Sequence, residues 1–383
     1  MKIIYFTTAM LPEDFDRLAS KTKNAPNPSN QNFHHKLIKS LALYNDIEVI
    51  VNRPITYRFD KFKSFPYETK HEGNIHFHYI KFLNGRFAKP FSFASNAKRI
   101  ARKILRKNSD VLIIVDSLNY SLVRVAQSLG AFHKVPIVGV ITDNPNNLSS
   151  VNKKYVKRIN NTLPYYDMYL TLTEELNKMA NPFGNPHYTF SGLVEDTKIS
   201  SYENNGKSLF FAGSIYERYG IANLLSAFRN LPGNYNLLIA GQGPDVPLVI
   251  KASKSDPRVV YLGLLTPREL AKYSHTAILN INPRPFDSDL DLLSIPSKVL
   301  EYAESGTPTL STLSTPLVRD FPNEIIWAGQ GTTEDLINAL EKFLEMSPIE
   351  RKALGDAARK IVLELYSIEN QGAKINHFLK SNK

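Results

Sequence analysis

The stretch Asn282–Ser311, NPRPFDSDLDLLSIPSKVLEYAESGTPTLS, decides the reading of this chain. It reads as a strand end, a ligand loop, a short helix and the next strand. Pro296 has a fixed φ and no N–H to lose, which suits a first helical turn, and Gly306 can adopt the left-handed conformation that closes a helix. Ser297 and Glu301 are four apart, and Lys298 and Glu301 three apart. Hydroxyl, ammonium and carboxylate therefore crowd one edge of the helix near its N-terminus. Free amides there, with the positive end of the helix dipole, favour a phosphate, and a carboxylate one turn further in can accept hydrogen bonds from a ribose diol. A solvated Glu after a plain Pro-Ser start signal explains the helix alone equally well. The neighbouring sequence separates the two readings.

Working outward, the second half alternates strands and helices. Ser208–Ala212, Asn236–Ala240, Val259–Leu262 and Ala277–Ile281 read as buried strands, and Ile221–Asn230 and Pro267–Ser274 as helices, with a tight turn at Gly241-Gln242-Gly243. Helices follow at Glu334–Leu344, Pro348–Leu365 and Ile368–Leu379. The first half repeats the scheme. Lys2–Thr8 is a strand, the polar segment through Asn32 a long loop, and a helix from Phe33 leads to a strand at Ile47–Val51. Further strands are expected at Asn74–Phe82, Val111–Val115, Val135–Ile141 and His187–Ser191. The polar, aperiodic stretch Gly192–Gly206 marks a domain boundary. The fold class is therefore α/β, with two doubly wound, Rossmann-like domains facing a cleft. They span residues 1–192 and 205–365, and residues 366–383 form a final helix. Ligands of such sheets collect at the carboxyl ends of the strands.

The 383 residues are enough for two domains with sizeable cores, and 43% hydrophobic with 22% charged residues is a globular composition. There is no Cys, so disulfide and thiolate chemistry are excluded. The N-terminus meets acidic residues at Glu13 after too short an apolar run for an export signal, and no run of about 18 apolar residues occurs. A cytoplasmic protein is expected. The net charge of +11 is uneven: residues 1–195 hold 27 Lys and Arg against 15 Asp and Glu, and the remainder holds 20 against 21. One domain thus faces a polyanion.

Gly213-Ser214 through Tyr219-Gly220-Ile221, Gly241-Gln242-Gly243, Asn282-Pro283-Arg284-Pro285, and Pro296-Ser297-Lys298 through Glu301-Tyr302 and Gly306 occur in an order and spacing that resemble the C-terminal half of GT-B glycosyltransferases. The resemblance is to family-four-like retaining enzymes of bacterial capsule and exopolysaccharide synthesis, and it covers residues 205–330 best. It implies a nucleotide-sugar donor, probed first as UDP-sugar, on the C-terminal domain and a glycan or lipid-linked acceptor on the N-terminal domain. The final helix would cross back to the first domain. By the resemblance, Glu301 is the ribose-binding residue, Ser297 and the amides of Ile295–Lys298 hold the pyrophosphate beside Gly213 and Ser214, and the loop around Leu264 holds the base.

Many relatives carry an Arg after the first Gly and a Lys before the next, where this chain has Ser214 and Tyr219. The neutralising load would pass to Arg218, Arg284, Lys298 and the helix N-terminus. The alternative is a catalytically inactive GT-B-like subunit that supports a partner transferase. Asp287-Ser288-Asp289 has the look of a metal-binding Asp-x-Asp, but a GT-B site needs no metal at the diphosphate. No metal or other cofactor is expected. Asp143, after the strand at Val135–Ile141 and before Asn-Pro, is the catalytic candidate through contact with the acceptor hydroxyl, and equally an ordinary turn residue. Asp116 is a weaker candidate, and His34-His35 read best as ordinary surface residues.

Lys98–Lys107 (KRIARKILRK) is amphipathic, with Ala97, Ile100, Ala101, Ile104 and Leu105 on one face and six cations on the rest. With the aromatic and basic segments Tyr57–Tyr67 and Phe82–Phe93 it suggests contact with an anionic membrane surface, so the cytoplasmic protein would be peripheral at the inner face. Nucleic acid is not an expected partner, since no recognition helix, zinc ligands or RNP-like run is present.

Overall fold

The computed structural model describes residues 1–22, 28–55, 63–147, 152–197, 206–287 and 291–383. The chain divides into two compact units, Met1–Leu193 with Ile368–Lys383, and Val194–Ser367. Ser288 and Asp289 of the expected Asp-Ser-Asp loop and most of the Tyr57–Tyr67 segment lie outside the described residues.

The first unit contains β1 (Lys2–Thr7), β2 (Asp46–Val51), β3 (Ser64–Phe65), β4 (Glu68–Glu72), β5 (Ile75–Tyr79), β6 (Phe82–Leu83), β7 (Val111–Asp116), β8 (Ile137–Ile141), β9 (Met168–Thr171) and β10 (His187–Thr189). Eight of them form one sheet in the order β10-β9-β8-β7-β1-β2-β5-β4, parallel except that β4 runs against β5. β7 (VLIIVD) is buried at every position, as expected of a strand covered by helices on both faces. The Ile368–Ser381 helix belongs to this unit: Asn45 Nδ2 donates to Asn376 Oδ1 (3.0 Å), and the Tyr188 hydroxyl donates to Gln371 Oε1 (3.1 Å).

One expected element is corrected. The loop through Asn32 holds a helix at Pro12–Ala19, and the next helix begins at Pro28 rather than near Phe33. Pro12 lies in the first turn, Glu13 and Asp14 complement the dipole, and Phe15 and Leu18, three apart, are buried. The many acids made a short amphipathic helix read as loop.

The second unit contains β11 (Ser208–Ala212), β12 (Asn236–Ala240), β13 (Val259–Gly263), β14 (Leu279–Asn282), β15 (Thr309–Ser311) and β16 (Ile326–Trp327), ordered β13-β12-β11-β14-β15-β16 and parallel throughout. From β11 the chain builds outward through β12 and β13, then returns to the other side of β11 with β14. That reversal opens a crevice between the carboxyl ends of β11 and β14, where doubly wound sheets bind ligands. In the first unit the corresponding reversal lies between β1 and β7.

Candidate functional site

At the crevice of the second unit, backbone meets backbone because glycine leaves room. Gly220 has φ +84°, and a Cβ there would lie 1.9 Å from the Pro283 carbonyl oxygen. Gly241 has φ +135°, and its Cβ would lie 1.8 Å from the Gly213 carbonyl oxygen. Only glycine tolerates both conditions without strain. Amide bonds extend the contact: Gly213 N–H donates to Ala240 O (3.1 Å), Ile215 N–H to Gln242 O (3.0 Å), and Gly241 N–H to Gly263 O (2.7 Å). The turns that carry Gly213 and Ser214, Arg284, and Leu264 are thereby tied into one assembly. Ser214 and Leu264 are both exposed on it, Leu264 by 68%.

Arg218 and Arg284 converge on one ring. The Arg218 guanidinium lies 5.0 Å from the Tyr219 ring centre and 4.9 Å from that of Tyr216, and Arg284 lies 6.0 Å from Tyr219. Each distance is within cation–π range. Tyr219 thus acts as a platform that brings two positive charges together. Thr312 Oγ1 donates to the Arg284 carbonyl, which holds this turn on the strand end of β15.

The Ser297–Glu304 helix follows Pro296, which sits immediately before the first helical residue, and Gly306 at φ +73° closes it. Ser297 is exposed at the first position, and Ile295 is half-buried against the apolar side of the helix. Lys298 Nζ and Glu301 Oε2 form an ion pair at 2.6 Å, with both side chains about one-third exposed. The two residues expected to meet a phosphate and a ribose therefore meet each other here. Tyr302 anchors the helix: its buried hydroxyl accepts from Ala212 N–H (2.8 Å) and donates to Ala212 O (3.3 Å), at the last residue of β11 before Gly213. Burial pushes its phenol well above the ordinary tyrosine value.

A shallow recess runs from Asn282 and Arg284 to Ser294, Pro296 and Ser314. Arg284 and the helix start therefore share one wall. The Ser314 hydroxyl on it is buried and has no hydrogen-bond partner among the described residues. Buried Asp291 also lines it and accepts the Thr315 N–H at 2.9 Å. Sequence reasoning missed Tyr302 and Ser314 as site residues. The only signal for Ser314 was the Ser-Thr-Pro helix start that follows β15. Among the described residues no group of three or more His, Cys, Asp or Glu is placed to hold a metal.

In the first unit Asp143 is half-buried just beyond β8, and its Oδ1 accepts the Asn144 N–H at 2.7 Å. The reversal between β1 and β7 holds a more elaborate group. The Tyr5 hydroxyl is 2.7 Å from His34 Nδ1, and His34 Nε2 faces Asp116 Oδ2 at 3.6 Å. Asn30 Nδ2 donates to both Thr8 Oγ1 (3.2 Å) and Asp116 Oδ2 (3.4 Å). Burial alone would raise the Asp116 carboxyl, but the facing imidazole and the Leu118 and Asn30 donors hold it below the usual carboxylate range. His34, read from sequence as a surface residue, is fully buried.

Residues 206–346 match the family model for glycosyl transferases group 1. No curated protein sequence matches the chain. Among solved structures, sucrose-phosphate synthase from Thermosynechococcus elongatus superposes over 100% of both chains at TM-score 0.71 and 14% identity. The Anabaena protein HepE in complex with UDP does so over 100% of both at 0.66 and 11%. The lipopolysaccharide outer core galactosyltransferase WaaB, in its apo form, does so over 100% of both at 0.61 and 14%. The fold is that of the GT-B glycosyltransferases.

Proposed function

We propose that the chain is a retaining, metal-independent glycosyltransferase that moves a hexose from a nucleotide-diphosphate donor to a glycan or lipid-linked acceptor in cell-surface polysaccharide synthesis. The observation that carries the reading is the glycine-locked assembly at the carboxyl ends of β11 and β14. It sets Arg218 and Arg284 on Tyr219 within the segment that matches the group 1 model. A departing diphosphate needs positive charge or oriented dipoles, and here two guanidiniums and the Ser297 helix N-terminus supply them. Donor entry exchanges the Lys298–Glu301 pair: the ammonium turns to the diphosphate and the carboxylate accepts the ribose hydroxyls. Both groups are one-third exposed, so breaking the pair costs little, about 0.5 kcal/mol or less. UDP is the first nucleotide to test, because solved structures of the same fold hold it, HepE among them.

The first unit takes the acceptor in this reading, with Asp143 near the reacting hydroxyl. It also carries the charge: residues 1–193 and 368–383 hold 30 Lys and Arg against 15 Asp and Glu. The Ala88–Lys107 helix buries Phe93, Ala97, Ile100, Ala101, Ile104 and Leu105. Phe87 (71% exposed) and Phe91 (78% exposed) stand four apart at its start, and exposed Arg102 and Arg106 continue the same side. Aromatic anchors followed by cations suit the surface of an anionic membrane, which would bring a cytoplasmic enzyme to lipid-linked acceptors. No helix among the described residues is long and apolar enough to cross a membrane.

The test is a panel of UDP-, GDP- and dTDP-sugars incubated with the protein and a lipid-linked acceptor extract. Release of one nucleoside diphosphate, with a product whose anomeric configuration matches that of the donor, is expected. Donor binding without release across the panel would favour the inactive partner-subunit reading instead.

A further inference from the structure

A second recess, of about 160 Å³, opens in the first unit beside the carboxyl ends of β1, β2 and β5. Two charged side chains at its base are more than nine-tenths buried. Arg53 (5% exposed) donates from Nη1 to Pro66 O (3.1 Å) and Ile80 O (3.2 Å), pairs with Glu68 at 3.2 Å, and lies 5.0 Å from the ring centre of Tyr79 and 5.5 Å from that of Phe65. Asp14 (6% exposed) accepts from Arg17 Nη2 (2.6 Å), the Tyr79 hydroxyl (2.8 Å) and Lys70.

Burying an arginine and a carboxylate costs several kcal/mol per ion before compensation, and an apolar lining would fill the same space more cheaply. Their placement beside an opening to solvent makes the recess a candidate binding site. Charge specifies the ligand further. Arg17, Lys21 and Arg53 line the recess against Asp14 and Glu68, which leaves one cation in excess, and Lys70 adds a further ammonium on Asp14. The Lys21 ammonium, at the rim, has no partner among the described residues. Phe65, only partly buried, adds an apolar side to the space, and the two carboxylates offer acceptors for hydroxyl groups.

We propose that this recess binds an acidic saccharide, a sugar ring bearing a phosphate or carboxylate, with the ring beside Phe65 and the anion at Lys21 and Arg17. The inference rests on the reading of the first unit as the acceptor side and narrows the acceptor to an anionic sugar. Asp14 acts through its neighbours as a positioning residue that orients Arg17 and Lys70.

The experiment is a calorimetric titration of glucuronate, glucose 6-phosphate and glucose into the full chain and into the Lys21→Glu and Arg17→Glu variants, with UDP titrated in parallel. Both positions are on the surface, and circular dichroism verifies folding. The expected result is binding of at least one acid, at least tenfold tighter than glucose, weakened at least fivefold by Lys21→Glu, with UDP affinity unchanged. The acid that binds identifies the anion. Equal binding of glucose, no binding of either acid, or indifference to Lys21→Glu would overturn the proposal. UDP binding without acid binding would sink this site alone, and acid binding without UDP binding would leave the recess and sink the transferase reading.

Discussion

Gly220→Ala tests the central packing of the donor site with one methyl group. At φ +84° an L-residue carries a conformational cost of about 1–2 kcal/mol. The new Cβ would also sit 1.9 Å from the Pro283 carbonyl oxygen, where a relaxed C···O contact needs roughly 3.3 Å. The turn that carries Arg284 must therefore retreat by about 1.4 Å, and overpacking of this kind costs a further ~1–3 kcal/mol. The total of about 2–5 kcal/mol corresponds to a fall in Tm of roughly 5–15 °C for a unit of this size. Displacement of Arg284 from the Tyr219 ring should weaken UDP binding at least tenfold, since a shift of about 1 Å can cost ~100-fold in a positioned site. Differential scanning calorimetry and nucleotide titration provide the readouts. Gly233→Ala is the control, because its added Cβ meets nothing within 4 Å. If Gly220→Ala matched that control in both Tm and UDP affinity, the glycine-locked assembly would be refuted.

Tyr302→Phe removes the hydroxyl that pairs both backbone groups of Ala212, so a loss of about 1–3 kcal/mol and a lower Tm are expected, with UDP affinity falling as the Gly213 turn loosens. Arg218→Ala and Arg284→Ala should each weaken UDP at least tenfold while leaving uridine binding unchanged, if both cations serve the diphosphate; equal losses for uridine would contradict this. Asp116 titrates below the ordinary carboxylate range, so its stabilisation is complete above about pH 4 and is lost as pH falls through its depressed folded value. Accordingly Asp116→Asn should lower Tm at pH 7, and that difference should shrink as pH is taken below the ordinary carboxylate value, measured by thermal melts across the acid range. Arg102→Glu with Arg106→Glu should reduce co-sedimentation with phosphatidylglycerol vesicles at least tenfold, at roughly 1 kcal/mol per charge near the surface, without changing binding to neutral vesicles.

Much of the scaffold was legible because it rests on local signals. The buried strands Ser208–Ala212 and Asn236–Ala240 are short apolar runs between turns, and Gly213, Gly220, Gly241 and Gly243 mark where those turns approach one another. Helices at Pro12–Ala19, Val246–Ser255 and Thr315–Asp320 escaped notice: each is ten residues or fewer, and acids or a β-branched run masked its periodicity. β4 escaped because ETKHE, an edge strand largely open to water, has no apolar alternation. At the site, spacing placed Lys298 beside Glu301, but spacing carries no information on which partner each selects. The tie between Tyr302 and Ala212, 90 residues apart, is a property of the packed unit. The same holds for Arg218 and Arg284 on Tyr219, and for Asp14, Arg53 and Tyr79 around one recess.

The most direct measurement is calorimetric titration of UDP, GDP and dTDP into the wild type and Glu301→Ala, with and without Mg²⁺. The account predicts binding of one nucleotide, independent of metal and weakened at least tenfold by the substitution, or about 1.4 kcal/mol. Absence of binding by all three, or binding indifferent to Glu301→Ala, would contradict the assignment of the Ser297–Glu304 helix to the donor.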